Sequence, residues 1–277
     1  YSIECKTKRV EVIKSNYQTV VIDTSSSKWK SIIQKHVWAP ELIETANSGT
    51  HVDCHEVTVE DYDKFLSAPE GGANPQFAPR TDSPSSHNFH PKNRQARLHH
   101  PANAVSFAGA EAYCKWHARV HGNAEKGRVA NIADFHEITG YSKGNESPYP
   151  WTGTEAPNCA RVVMKIDPDR DGCSPPPPHN QGSTKAVCSR TDGNARFGHC
   201  DIFGNVAEWV APGKIFGGSF RHSLKSNQFY LGAEAVNAPN PKPDFVGFRC
   251  AWKLNDNQRC NCLDINHTTH NSSPVRD

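Results

Sequence analysis

Three aspartates at alternating positions, Asp167, Asp169 and Asp171, place carboxylates as a Ca²⁺-binding loop does: hard oxygen donors for a hard cation. A solvated acidic turn has the same spelling. His117 and His121 stand four apart, a spacing that puts two imidazoles on one helix face and suits a transition metal. The chain has fifteen histidines, with His87, His90, His99 and His100 in one polar stretch, so exposed helix and loop histidines are the plainer reading. Ten cysteines, Cys5, Cys54, Cys114, Cys159, Cys173, Cys188, Cys200, Cys250, Cys260 and Cys262, contain no C-x-x-C pair. Their even number and isolation predict a disulfide framework and an oxidising location, secreted, extracellular or periplasmic, rather than zinc or redox thiols. Asn145, Asn266 and Asn271 each open an N-glycosylation acceptor triplet. Ser219 follows two glycines with no His and Asp motif to activate it, and reads as a turn hydroxyl. Phosphate-loop, G-x-S-x-G and H-E-x-x-H motifs are absent.

The elements that must position these groups are short. Val10-Glu-Val-Ile13 and Thr19-Val-Val-Ile22 alternate like strands, and Ser25-Ser-Ser27 breaks the pattern. Residues 57–66 predict a helix capped by Thr58, with Asp61 near its positive end and Tyr62, Phe65 and Leu66 as the apolar stripe; Pro69 and Gly71-Gly72 end it. Residues 69–104, with six prolines, read as a long polar loop. A second helix over 106–121 starts at Ser106, buries Phe107, Ala110, Cys114 and Ala118, and closes at Gly122. A third, 131–140, runs from Asn131 to Gly140. Residues 141–200 are irregular around Pro175-Pro-Pro-Pro178, a length that calls for staples, disulfides or ions.

Composition narrows the class. The 277 residues are 36% hydrophobic, below the globular average of about 45–50%. Twenty prolines and nineteen glycines favour loops over long helices. A formal charge of +2 with scattered Lys and Arg gives no case for nucleic acid. No apolar run approaches the roughly 20 residues a membrane-spanning helix needs. The start at Tyr1 fits a processed N-terminus and a trimmed chain equally.

Seven motifs then follow in one order: Glu56-Val-Thr-Val-Glu-Asp-Tyr62; His100-Pro-Ala-Asn-Ala-Val-Ser-Phe107 running on to Ala112-Tyr-Cys-Lys-Trp116; Arg128-Val-Ala-Asn-Ile-Ala-Asp-Phe135; Tyr149-Pro-Trp151; Gly204-Asn-Val-Ala-Glu-Trp209; Gly217-Gly-Ser-Phe220; and Gly247-Phe-Arg-Cys250. In this order they resemble the formylglycine-generating enzyme, or sulfatase-modifying factor, family. The resemblance covers roughly residues 50–253. It divides the chain into a strand-rich extension (1–50), the family-like domain (51–254) and a polar tail (255–277), and implies an α+β, C-type-lectin-like fold expanded by loops.

The resemblance also implies roles. Asp201, Gly204, Val206 and Glu208 match a calcium site, two side chains and two carbonyls; a structural alternative is that Glu208 only bonds backbone groups of its turn. Asn158 and Cys159 with Asp171 and the Cys173 carbonyl match a second calcium site. Cys114 and Cys250 match a disulfide. Where the active enzyme has its two copper-binding cysteines stand His222 and Asn227, and Ala207 replaces a tryptophan near the active site. Without thiolates the family's copper chemistry has no ligands. The expectation is therefore a pseudoenzyme: a secreted or cell-surface binding or structural module, stabilised by one or two Ca²⁺ ions. Its partner would be protein or carbohydrate, and it could be a subunit of an extracellular assembly. The loops 69–104 and 210–245 would flank the former cleft, and Trp151, Trp209, Phe216, Phe220, Phe229 and Tyr230 are candidate contact aromatics, several of which must be core. The alternative is a divergent iron- or copper-dependent oxidoreductase using His222.

Overall fold

The computed structural model describes residues 2–6, 9–14, 18–23, 50–84, 87–120, 127–140, 149–151, 155–165, 183–195, 197–223, 234–236 and 241–253, with backbone alone for 2–23 and 234–235. The first strands, β1 (Ser2–Lys6), β2 (Arg9–Lys14) and β3 (Gln18–Asp23), pair antiparallel in that order. β2 and β3 carry the alternating stretches; β1 joins them although Ile3 is its one aliphatic residue.

The chain continues through β4 (Thr50–Val52), α1 (Val59–Ser67), α2 (Pro69–Gly72), α3 (Phe107–Val120), β5 (Arg128–Val129), α4 (Ile132–Thr139), β6 (Ala207–Ala211), β7 (Lys214–Phe216), β8 (Glu234–Ala235), β9 (Val246–Gly247) and β10 (Cys250–Lys253). The stretch 69–104 is not the plain loop its composition suggests. It holds α2 and 3-10 turns at Pro75–Phe77 and Arg94–Arg97. Pro69 and Pro75 begin their turns, where a fixed φ is already helical and no N–H is needed.

Local chemistry sets the longer helices. Thr58 Oγ1 accepts the Asp61 N–H at 3.2 Å and donates to Asp61 Oδ2 at 2.7 Å. The Gly109 N–H bonds Ser106 Oγ at 3.2 Å at the head of α3. Asn131 and Asp134 form a reciprocal capping box on α4, and Gly140, at φ 70°, ends it.

Two sheets carry the domain. One is antiparallel, β4-β10-β5; the other, β8-β7-β6-β9, is antiparallel except that β6 and β9 run parallel, Ala207 opposite Val246 and Glu208 opposite Gly247. α1 and α3 meet through Tyr62 and Tyr113, stacked at 5.7 Å, with Phe65 and Phe248 edge-on to them. Buried polar atoms on this face are answered: Tyr62 Oη donates to the Phe77 carbonyl, Trp209 Nε1 to that of Val105. A second apolar cluster gathers Phe135, Trp151, Phe203 and Phe216. Cys114 on α3 is disulfide-bonded to Cys250 on β10, and Cys188 to Cys200. Cys54 and Cys159 are also disulfide-bonded, and no described cysteine is free. No described helix is long and apolar enough to cross a membrane.

Candidate functional site

The turn from Asp201 to Glu208 is built on left-handed backbone: φ is 55° at Asp201, 86° at Gly204 and 56° at Asn205. Asn and Asp tolerate that region; at Gly204 a side chain would also sit 3.0 Å from the Val163 backbone. The Gly204 N–H bonds the Gly217 carbonyl, the Asn205 N–H that of Val163, and the Phe220 N–H that of Asn205. The turn is thus folded onto both the segment at Val163 and the Gly217-Gly-Ser-Phe220 motif. At Gly217, φ is 90° and a Cβ would lie 2.4 Å from the Ile202 oxygen, so the motif needs glycine there.

Four charged side chains are buried around this turn: Glu56 (0% exposed), Asp201 (5%), Glu208 (1%) and Arg249 (0%). Arg249 grips Glu208 with two nitrogens, Nε to Oε2 at 2.8 Å and Nη2 to Oε1 at 2.7 Å. Its remaining hydrogens go to the carbonyls of Cys200, Asp53 and Cys54. Glu208 therefore pairs with a guanidinium, beyond the backbone-only alternative. Glu56 accepts from Asn205 Nδ2 at 2.7 Å and from the Val206 N–H at 3.1 Å. Asp201 Oδ2 accepts the Cys188 N–H at 2.5 Å.

Three carboxylates thus face one guanidinium in a dry interior. Burial, then the charges of Asp201 and Glu208, push Glu56 well above the ordinary carboxyl range. Burial raises Asp201 to about 6 and also raises Glu208, in spite of Arg249. Two remedies exist for such an excess of negative charge: bound protons or a bound cation. The donors at hand are oxygens. Cys188 and Cys200 lie beside Asp201, but their sulfurs form one disulfide and offer no thiolate. Among the described residues the oxygens of Glu56, Asp201 and Glu208 do not all lie within 4.8 Å of one another, so the carboxylates line the turn without closing on one point; oxygen donors of this kind suit Ca²⁺ and not a soft metal.

The turn thus brings together Asp201 and Glu208, with Gly204 and Val206 between them. Sequence reasoning misses Glu56 as a partner of this turn, although it opens the first family motif. In the second proposed calcium set, Asn158 Oδ1 accepts the Ala160 N–H at 2.9 Å and the Asn158 carbonyl accepts from Arg161 and Val162. Asp167, Asp169, Asp171 and Cys173 lie outside the described residues, as do Asn227, His121, Phe229, Tyr230 and the three glycosylation triplets.

His222 sits in a turn whose geometry fixes its ring. The Ser219 N–H donates to His222 Nδ1 at 2.8 Å, and Ser219 Oγ lies 2.9 Å from the same nitrogen. The ring meets Phe245 edge-on, with centroids 5.9 Å apart, and the His222 carbonyl accepts the Lys165 N–H. Ala207 is fully buried in β6 beside β9. Trp151, Trp209, Phe216 and Phe220 are all at most 3% exposed, so they are core side chains and not contact aromatics. The segments 69–104 and 210–245 do meet: Lys242 Nζ donates to the Ala78 carbonyl at 2.6 Å, and the Ala104 N–H to that of Pro243.

Against known proteins, the family model described as "Sulfatase-modifying factor enzyme 1-like domain" matches residues 13–254, so it begins inside the strand-rich segment that precedes the seven motifs. Among solved structures, PvdO from Pseudomonas aeruginosa is similar at 22% identity over 73% of this chain and 80% of PvdO, with a TM-score of 0.51. CarF is similar at 18% identity over 74% of this chain and 87% of CarF, with a TM-score of 0.52. Treponema denticola variable protein 1 aligns over 91% of this chain and 94% of its own at 14% identity and a TM-score of 0.49. At these identities the likeness is one of fold. No curated protein matches the chain.

Proposed function

The chain belongs to the sulfatase-modifying factor enzyme 1-like domain family, and on that premise we propose that it is a non-catalytic binding or structural module, secreted or at the cell surface, with loops pinned by calcium. One observation carries the non-catalytic part. A backbone N–H can only donate, so His222 Nδ1 must accept from Ser219. In the neutral ring the proton then sits on Nε2. Neither nitrogen is left with a lone pair for iron or copper, and the position that would carry a copper-binding thiolate is occupied by a turn-holding imidazole.

The calcium part rests on the surplus of buried carboxylate. Asp201 and Glu208 would hold the ion with the Gly204 and Val206 carbonyls, while Glu56 holds the turn through Asn205 and Val206. A bound Ca²⁺ supplies the positive charge that Arg249 alone does not. Its role is structural: it fixes the turn onto which 217–220 folds.

The partner is a protein or carbohydrate met by the loops 69–104 and 210–245, which are joined at Ala78 and Lys242. Metal analysis of the purified chain tests the assignment. Iron and copper are expected at well under one per chain, with no oxygen consumption on a cysteine-containing peptide. A redox metal near one per chain that disappears in His222→Ala would instead make the protein a divergent oxidoreductase.

A further inference from the structure

The net charge of the chain is small, but one stretch is one-sided. From Ser83 to Ala110 there is no Asp or Glu, while Lys92, Arg94, Arg97 and four histidines fall within 87–100. Successive turns fold this stretch into one surface: the His87 carbonyl accepts the His90 N–H, and the His90 carbonyl those of Asn93 and Arg94. Residues 98–100 then lie between two neighbours. The Val59 and Glu60 N–H groups donate to the carbonyls of His100 and Leu98, and the Val187 N–H donates to that of His99. His100 Nδ1 lies 2.8 Å from Thr184 Oγ1, so Lys185 joins the same surface, its N–H held by Asn205 Oδ1 at 3.0 Å. These cations are not answered alike. Arg94 is paired, its Nε donating to Asp63 Oδ2 at 2.8 Å. Arg97 is half-buried, yet its Nη1 donates to the neutral Asn88 Oδ1 at 2.9 Å and its other nitrogens make no bond to the described residues. Lys92 is exposed and Lys185 half-buried, and neither forms an ion pair with a described residue. Glu60 stands at the edge, 3.9 Å from His99 Nδ1. His100 reports the resulting field: burial, then the charges of Arg97, Lys185 and His99, push it down to about 4.

We propose that Lys92, Arg97, His99 and Lys185 form the contact surface for a linear acidic polysaccharide, whose sulfate or carboxylate groups supply the anions that the fold withholds. The proposal rests on the reading of loop 69–104 as a contact loop and names what that loop meets. Arg97 is set in place for it. Asn88, its partner, is itself fixed, with Nδ2 donating to the Pro101 carbonyl at 2.8 Å and to Thr184 Oγ1 at 3.0 Å. A guanidinium held in this way keeps its planar fork ready for an oxyanion. The absence of apolar contact groups decides between kinds of polyanion. A folded protein partner calls for an apolar, aromatic-rich centre, and a nucleic-acid strand for exposed rings on which bases stack. Here Phe89 is 2% exposed, Leu98 packs against the core, and among the described residues Val120 is the one large hydrophobic side chain that is exposed. Charged sugars need only cations and polar groups, such as Gln95, exposed between Arg94 and Arg97.

Binding of the full chain, with excess Ca²⁺ present, to immobilised dextran sulfate, polygalacturonate and neutral dextran tests this. Binding is expected to the sulfated chain, to the carboxylated chain or to both, which tells the two anions apart, and not to neutral dextran; it should weaken as salt is added. The double variant Lys92→Gln/Lys185→Gln and the single Arg97→Gln should each lower affinity at least about fivefold. Glutamine at 97 keeps a donor for Asn88 Oδ1, and the lysine pair bears no such contact, so lost binding is separated from lost folding. The double variant Lys115→Gln/Lys214→Gln removes the same charge from exposed positions elsewhere and should bind as the native chain does. No binding to either acidic polysaccharide, equal loss in the two double variants, or tighter binding of polyglutamate or a DNA duplex would overturn the proposal. Those outcomes leave the non-catalytic reading standing, since metal analysis tests that reading by itself.

Discussion

Arg249→Leu is expected to be the most damaging single substitution in the chain, lowering unfolding free energy by about 5 kcal/mol. The side chain is fully buried, and it faces Glu208, Glu56 and Asp201. Removing one partner of a buried pair typically costs about 3–5 kcal/mol, because the other charge stays behind uncompensated. Here three carboxylates stay behind, and the carbonyls of Cys200, Asp53 and Cys54 lose their donor as well. That is a large part of the roughly 5–15 kcal/mol that holds a typical domain. Arg249→Lys should fall between, since one ammonium keeps the charge but cannot fork onto Glu208 while reaching three carbonyls. Millimolar Ca²⁺ should recover part of the loss by replacing the missing positive charge. Urea denaturation with and without Ca²⁺ measures all three values; a cost for Arg249→Leu below about 1 kcal/mol would mean that the carboxylates are not held there as anions.

Replacing Cys114 and Cys250 together by alanine is the second large effect. The bridge spans 136 residues of sequence and is buried at both ends. Chain-entropy reasoning values closure of such a loop at about 5 kcal/mol, through the freedom it removes from the unfolded chain. The loss should appear as a lower urea midpoint, and a reductant should lower the native chain's midpoint by more than the double variant's, which keeps the other disulfides but has already lost this one. A double variant as stable as the native chain would show that packing of α3 on the sheet makes the bridge redundant.

Much of this architecture is legible in the chain, for physical reasons that differ by element. Thr58, Ser106 and Asn131 mark helix starts because an unsatisfied N–H needs a nearby side-chain oxygen, and that need is local. Glu56 and Arg249 are not legible as partners of the 201–208 turn. Glu56 stands 145 residues before Asp201, and Arg249 reaches the turn only because β9, two residues before it, returns beside β6. The histidines show the same limit. Spacing pairs His117 with His121 on one helix, whereas the fold sets His117 beside Asp53 and edge-on to Trp252 through a disulfide and a strand ladder. The aromatic residues err in the other direction. Trp151 and Phe220 look available for contacts in a loop-rich sequence, but loops closed over one another bury them.

If the Asp201–Glu208 turn is a calcium-held scaffold, the ion must stabilise the whole domain. Thermal unfolding of the full chain after EGTA treatment, followed on addition of Ca²⁺, tests this most directly. At about a hundredfold over Kd, a single ion contributes about 2.7 kcal/mol, which for a domain of this size is a rise of roughly 5–10 °C in Tm. The predicted result is a saturable rise of that order, most of which disappears in Asp201→Asn. No rise with the native chain, or the full rise in Asp201→Asn, would contradict it.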